Sequence, residues 1–95
     1  IGKDVSEIGS LAFGGCSRLF EICVSEENQH FSSENGILFN EDKTEIIKYP
    51  SAKEEEIYVI PQSVITVGEY SFEKAIYLYT ITIGKNVQNI ENGAF

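Results

Sequence analysis

The residues able to do chemistry in this chain are few and scattered. There is one histidine, His30, and there are two cysteines, Cys16 and Cys23. A nucleophilic thiol or hydroxyl needs a base within hydrogen-bond reach, and no spacing brings His30 to either cysteine; a surface-loop histidine is expected. Zinc centres need clustered Cys and His ligands, which are absent. The cysteines lie seven residues apart and on different faces of one segment, so a mutual bridge is not expected. The carboxylates come as runs, Glu26-Glu27 and Glu54-Glu55-Glu56. Calcium needs oxygen ligands converging from a loop of defined spacing, so these runs read as solvated charge. No glycine pattern for phosphate or dinucleotide binding occurs. The expectation is a non-enzyme with no catalytic, metal or cofactor-binding residues and no cofactor.

The formal net charge is −8. An acidic surface repels nucleic-acid backbones and anionic membranes, so neither is an expected partner. No apolar run approaches the roughly 20 residues that span a bilayer, and direct membrane insertion is not expected. No signal peptide is present, and the sequence starts at Ile1, as expected of a piece excised from a longer chain.

The organisation is repetitive. Val5, Ile8, Gly9, Ala12 and Phe13 align with Val64, Val67, Gly68, Ser71 and Phe72, and again with Val87, Ile90, Glu91, Ala94 and Phe95. A second template follows: Leu19-x-x-Ile22-x-Val24 matches Leu78-x-x-Ile81-x-Ile83. The offsets are 59 and 23 residues, so the middle unit carries about 13 residues more than an ordinary one. Leu-x-x-Leu-x-Leu at this period is the leucine-rich-repeat signature. The units run at about 1–27, 28–63, 64–86 and a truncated 87–95. The fold class expected is a leucine-rich-repeat solenoid, with short parallel strands, helical or 3₁₀ return turns, and one inserted β-hairpin.

Side chains alternate faces along a strand. Ile22, Val24, Ile81 and Ile83 should point inward, as should Tyr58 and Ile60. Val64, Val67 and Phe72 should return over them. Gly9 and Gly68 precede the return turn, where glycine permits positive φ. Segments 10–13 and 70–72 are expected to form a helical or 3₁₀ turn. Cys16 is expected as a small buried residue.

The outward face should carry Glu21, Cys23, Thr80 and Thr82, with Phe20 and Tyr79 beside them and Ile57 and Val59 between. These first six residues form the candidate protein-binding face, because aromatic side chains anchor interfaces. The competing reading lays both rings over neighbouring repeats as packing.

Asn35-Gly36 marks a turn. Segments 37–39 and 45–49 flank a polar loop and read as a hairpin insertion at about 36–50, either a spacer or a projecting contact element.

The runs Ile8-Gly-Ser-Leu-Ala-Phe-Gly-Gly-Cys-Ser-Arg-Leu19 and Val64-Ile-Thr-Val-Gly-Glu-Tyr-Ser-Phe72 resemble the BspA-like leucine-rich repeats of microbial surface proteins, and the stretch 35–50 resembles a longer variant of that repeat. The polar position after each strand reads Asp4, Glu27, Ser63 and Asn86, so an unbroken asparagine ladder is not expected. The resemblance implies an extracellular or cell-surface location and an adhesive, protein-binding role towards host or matrix proteins. The alternative is a structural spacer presenting another domain. Both ends of the sequence fall inside repeats, and some end-to-end self-association is expected.

Overall fold

The computed structural model describes residues 1–9 and 11–95. Among them the chain forms seven short strands and no helix: β1 (Phe31–Glu34), β2 (Ile37–Asn40), β3 (Glu45–Lys48), β4 (Ile57–Val59), β5 (Thr66–Val67), β6 (Thr80–Thr82) and β7 (Asn89–Ile90). Five strands make one sheet in the order β1-β2-β3-β5-β7, antiparallel through β3 and parallel beyond it. The other two, β4 and β6, pair in parallel as a separate ribbon.

The core fills the space where these sheets face each other. Ile37, Phe39, Ile46, Tyr49, Ile60, Val64, Val67, Phe72 and Ala94 are buried together. The return residues Val64, Val67 and Phe72 thus land where the repeat pattern places them. An aromatic column runs through the layer: Tyr58 to Tyr49 at 5.3 Å, Tyr49 to Phe72 at 5.3 Å, and Phe72 to Phe95 at 5.2 Å between ring centroids. Such ring pairs add about 0.5–1.5 kcal/mol each beyond their buried area.

The hairpin does not project from the surface. It is the most buried part of the chain, with Ile37, Leu38, Phe39, Ile46 and Tyr49 all sealed from solvent. It is also a three-stranded meander, because β1 pairs with β2 ahead of the expected hairpin. The β1–β2 connection is the two-residue Asn35-Gly36 loop, with φ of 53° and 76°. Positive φ at both positions matches the right-handed twist of the flanking strands. In the β2–β3 loop the Asn40 carboxamide accepts from the amides of Thr44 and Glu45 at 2.9 and 3.0 Å and donates to Thr44 Oγ1 at 2.9 Å.

The return segments differ from the helical or 3₁₀ turn expected. Ser71, Glu73 and Ala75 donate back to Gly68, Tyr70 and Phe72, a tandem of turns, while the amides of Tyr70 and Phe72 donate across to Asn92 and Ala94. Positive φ at Tyr70 and Lys74, 58° each, breaks any helical run. The equivalent turn at 10–13 includes Ser10, outside the described residues. Neither Gly9 nor Gly68 adopts positive φ. Gly68 is needed for close approach: a Cβ there would stand 2.6 Å from the Ile46 carbonyl oxygen, to which its own amide donates at 2.9 Å.

The polar positions after the strands tie successive units together. Ser63 Oγ donates to Lys43 O at 2.8 Å, and Asn86 Nδ2 to Gln62 O at 2.9 Å. In the first unit Asn28, one position beyond Glu27, does this work. It is buried, donates to the Gly2 and Val5 carbonyls at 2.8 and 2.9 Å, and accepts from the amides of His30 and Phe31.

Candidate functional site

Strand alternation sorts β4 and β6 as the sequence suggests. Tyr58 and Ile81 face the core, while Ile57, Val59, Thr80 and Thr82 are exposed on the opposite side. Ile57 is 63 % and Val59 62 % exposed, so this face carries two β-branched apolar side chains beside two threonines. Ile83, just past the end of β6, departs from the inward reading and is 46 % exposed.

Phe20 is 67 % and Tyr79 82 % exposed. Neither ring is covered by another part of the described chain. Tyr79 is held by its backbone, whose amide donates to the Glu56 carbonyl at 2.8 Å. Glu21 and Cys23 are exposed, with Ile22 buried between them.

The first unit does not supply the strand expected of it. Residues 20–24 join neither sheet. Instead the Ile22 amide donates to Gly36 O at 2.8 Å and the Val24 amide to Ser33 Oγ at 3.0 Å. The tip of the β1–β2 hairpin thus stands beside this segment in place of a repeat strand.

Between that tip and β4 the surface sinks. One cavity of about 650 Å³ is lined by Arg18, Phe20, Glu21, Asn35, Lys53 and Tyr77 among others. A second, of about 510 Å³, continues along Glu21, Asn35, Gly36, Ile37, Ile57 and Tyr58. Of the six candidate residues, Phe20 and Glu21 line this hollow, whereas Thr80 and Thr82 lie on β6, on the far side of β4. Tyr77 and Lys53 were not expected here. Tyr77 sits in the turn before β6, so strand alternation carried no signal for it.

Both cysteines are free and exposed. Cys16 is not the buried residue expected. It lies on the return side, in a hollow with Phe13, Lys48, Ser51 and Glu73, and its unit is stacked against a neighbour on one side only. Cys23 Sγ lies 3.3 Å from Glu21 Oε1 and donates to it. That hydrogen bond, assisted by slight desolvation and the carboxylate charge, pushes the Cys23 thiol up, so the thiolate is disfavoured. His30 is exposed. Among the described residues no group of three or more His, Cys, Asp or Glu side chains could hold a metal ion.

The arrangement can therefore offer aromatic, aliphatic and carboxylate contacts over an open concavity, which suits binding. The BspA type leucine-rich repeat region matches residues 1–57 and 52–95, in six copies. The chain belongs to the BspA-type leucine-rich repeat family. Solved structures similar to this chain include leucine-rich repeat proteins. A leucine-rich repeat protein from Eubacterium ventriosum is 36% identical with a TM-score of 0.88, covering 100% of this chain and 26% of its own. The pneumococcal vaccine antigen PcpA is 35% identical with a TM-score of 0.92, covering 97% of this chain and 23% of its own. A leucine-rich cell surface protein from Faecalibacterium prausnitzii shares the fold at 24% identity and a TM-score of 0.71, covering 96% of this chain and 28% of its own. The chain thus spans about a quarter of the length of these solved proteins. No curated protein matches it by sequence.

Proposed function

We propose that this BspA-type segment is a non-catalytic binding module of a microbial cell-surface or secreted protein. It engages a host or matrix protein through the outward face carrying Phe20, Glu21, Cys23, Tyr79, Thr80 and Thr82. The units 1–27, 28–63, 64–86 and 87–95 stack as a solenoid that holds this face in shape. The observation carrying the proposal is the exposure of two large rings, Phe20 and Tyr79, beside the outward strand face. Rigid aromatic side chains bring large contact area at small entropic cost, and interfaces are rich in them. Names of solved relatives support the location: one is a vaccine antigen and another a cell surface protein.

The test is binding of the chain to purified extracellular-matrix proteins, compared with the Phe20→Ala/Tyr79→Ala pair. The pair should lose binding by about tenfold or more while its unfolding midpoint stays within about 0.5 kcal/mol of the parent. Unchanged binding, or a collapse of stability, contradicts the assignment.

A further inference from the structure

The ribbon of β4 and β6 has an unusual edge. In a parallel pair the backbone groups of alternate residues face the partner strand. Thr80 N–H donates to Glu56 O, and Ile60 N–H to Thr82 O. Residues 56, 58 and 60 therefore turn their backbone groups to β6. The N–H and C=O groups of Ile57 and Val59 turn the other way. Among the described residues no strand pairs with that edge, and the cavity of about 510 Å³ lies alongside it.

Both banks of this groove belong to the chain itself. On one side is β4; on the other are Glu21 and the hairpin tip Asn35-Gly36, fixed by the Ile22-to-Gly36 bond. A neighbouring repeat added at either end of the chain would not fill it. We propose that the Ile57–Val59 edge is a strand-addition site that takes an extended, basic segment of a partner protein.

The backbone supplies the affinity in this mode, and alternate side chains supply selectivity. The charge on the banks sets the partner's sign. Glu21, Glu54 and Glu55 line the two cavities against Arg18 and Lys53. Glu34 adds to them: burial first, and then the Glu34 carboxylate, push the Tyr58 phenol upward. The whole chain is at −8. Exposed Ile57 and Val59 offer an apolar row beside the added strand. An occupant alternating basic and β-branched residues satisfies all three features.

This inference deepens the binding-face reading, on which it rests, and its test separates the two. The probe is an end-blocked Lys-Val-Lys-Val-Lys-Val peptide, measured by anisotropy against the full chain. Its acidic counterpart, with Glu for Lys, and a version N-methylated at the valines serve as controls. The basic peptide should bind, weaken by about tenfold in high salt, and lose about tenfold or more on N-methylation. The acidic peptide should bind at least about tenfold more weakly. Val59→Pro removes one groove-facing N–H, and proline is tolerated at a strand edge, so this variant should lose binding as well. Because that variant can fail to fold, amide exchange of the parent gives a second reading: the Ile57 and Val59 amides should gain protection on peptide addition.

Absence of binding by the basic peptide, or binding indifferent to N-methylation and without new protection at Ile57 and Val59, overturns the proposal. Equal binding of the acidic peptide overturns its charge selectivity. Matrix-protein binding that needs Tyr79 but survives Val59→Pro would leave the face reading standing and remove this one.

Discussion

The amide of Ile22 donates to the carbonyl of Gly36 at 2.8 Å. This bond locks the hairpin tip against the first unit and keeps residues 20–24 out of the β4–β6 ribbon. It depends on Gly36 in two ways. Its φ of 76° is left-handed, and a Cβ would stand 3.1 Å from Glu21 Cγ and 3.3 Å from Glu21 Cα. Gly36→Ala should lower stability by about 1–2 kcal/mol. Gly9, with open space around it and φ outside the left-handed region, serves as the control. Gly9→Ala should be neutral or stabilising by up to about 1 kcal/mol. Urea midpoints of the two variants check both expectations.

Tyr49 is fully buried, yet its hydroxyl finds no hydrogen-bond partner among the described residues. An unpaired buried hydroxyl costs about 1–3 kcal/mol. Tyr49→Phe keeps the ring stacked between Tyr58 and Phe72 and should raise stability by about 1 kcal/mol. A fall in the urea midpoint would mean that the hydroxyl is satisfied in solution. Phe39→Ala should instead cost about 3–5 kcal/mol, because it empties the centre of the layer.

Alkaline pH gives an independent reading of the same residue. Burial, with a smaller push from the Glu55 carboxylate, raises the Tyr49 phenol from its ordinary 10.0 to about 12. The fold favours the neutral phenol, so this contribution is complete below about pH 10 and is lost as pH rises through about 12. Stability of the parent should fall across that window, and Tyr49→Phe should reduce the slope. Identical slopes in parent and variant would contradict the assignment.

Cys23 and Glu21 are coupled through the 3.3 Å thiol-to-carboxylate bond. Glu21→Gln removes the charge that disfavours the thiolate, so alkylation of Cys23 at about pH 8 should speed up. Mass spectrometry in a Cys16→Ser background measures the rate. An unchanged or slower rate would show that the pair does not interact in solution.

Much of this molecule can be read from local pattern. Val64, Val67 and Phe72 reach the core because their spacing returns them over the strands. The inward and outward residues of 57–60 follow from strand alternation alone. Asn35-Gly36 announces its turn through the φ that both residues tolerate. Other features depend on non-local partners. Strand β1 reads Phe-Ser-Ser-Glu, which has no apolar alternation, and it forms because β2 offers an edge. Gly68 is demanded by the Ile46 carbonyl, 22 residues earlier. The same limit applies to the candidate face. Each residue's facing was legible, but the gap between Glu21 and Ile57 exists only because the hairpin tip comes in from elsewhere. Cys16 is expected inside because a free thiol packs as a small hydrophobe, but its exposure depends on which neighbours cover it, and that is not written in its local sequence.

The two cysteines offer the most direct test of the outward face. Cys23 lies on that face and Cys16 on the return side, both free and exposed. A bulky polyethylene-glycol maleimide attached to Cys23, in a Cys16→Ser chain, should reduce binding to a matrix protein by about tenfold or more. The same adduct on Cys16, in a Cys23→Ser chain, should leave binding within about twofold of the unlabelled chain. Binding blocked from Cys16 and untouched from Cys23 would contradict the account.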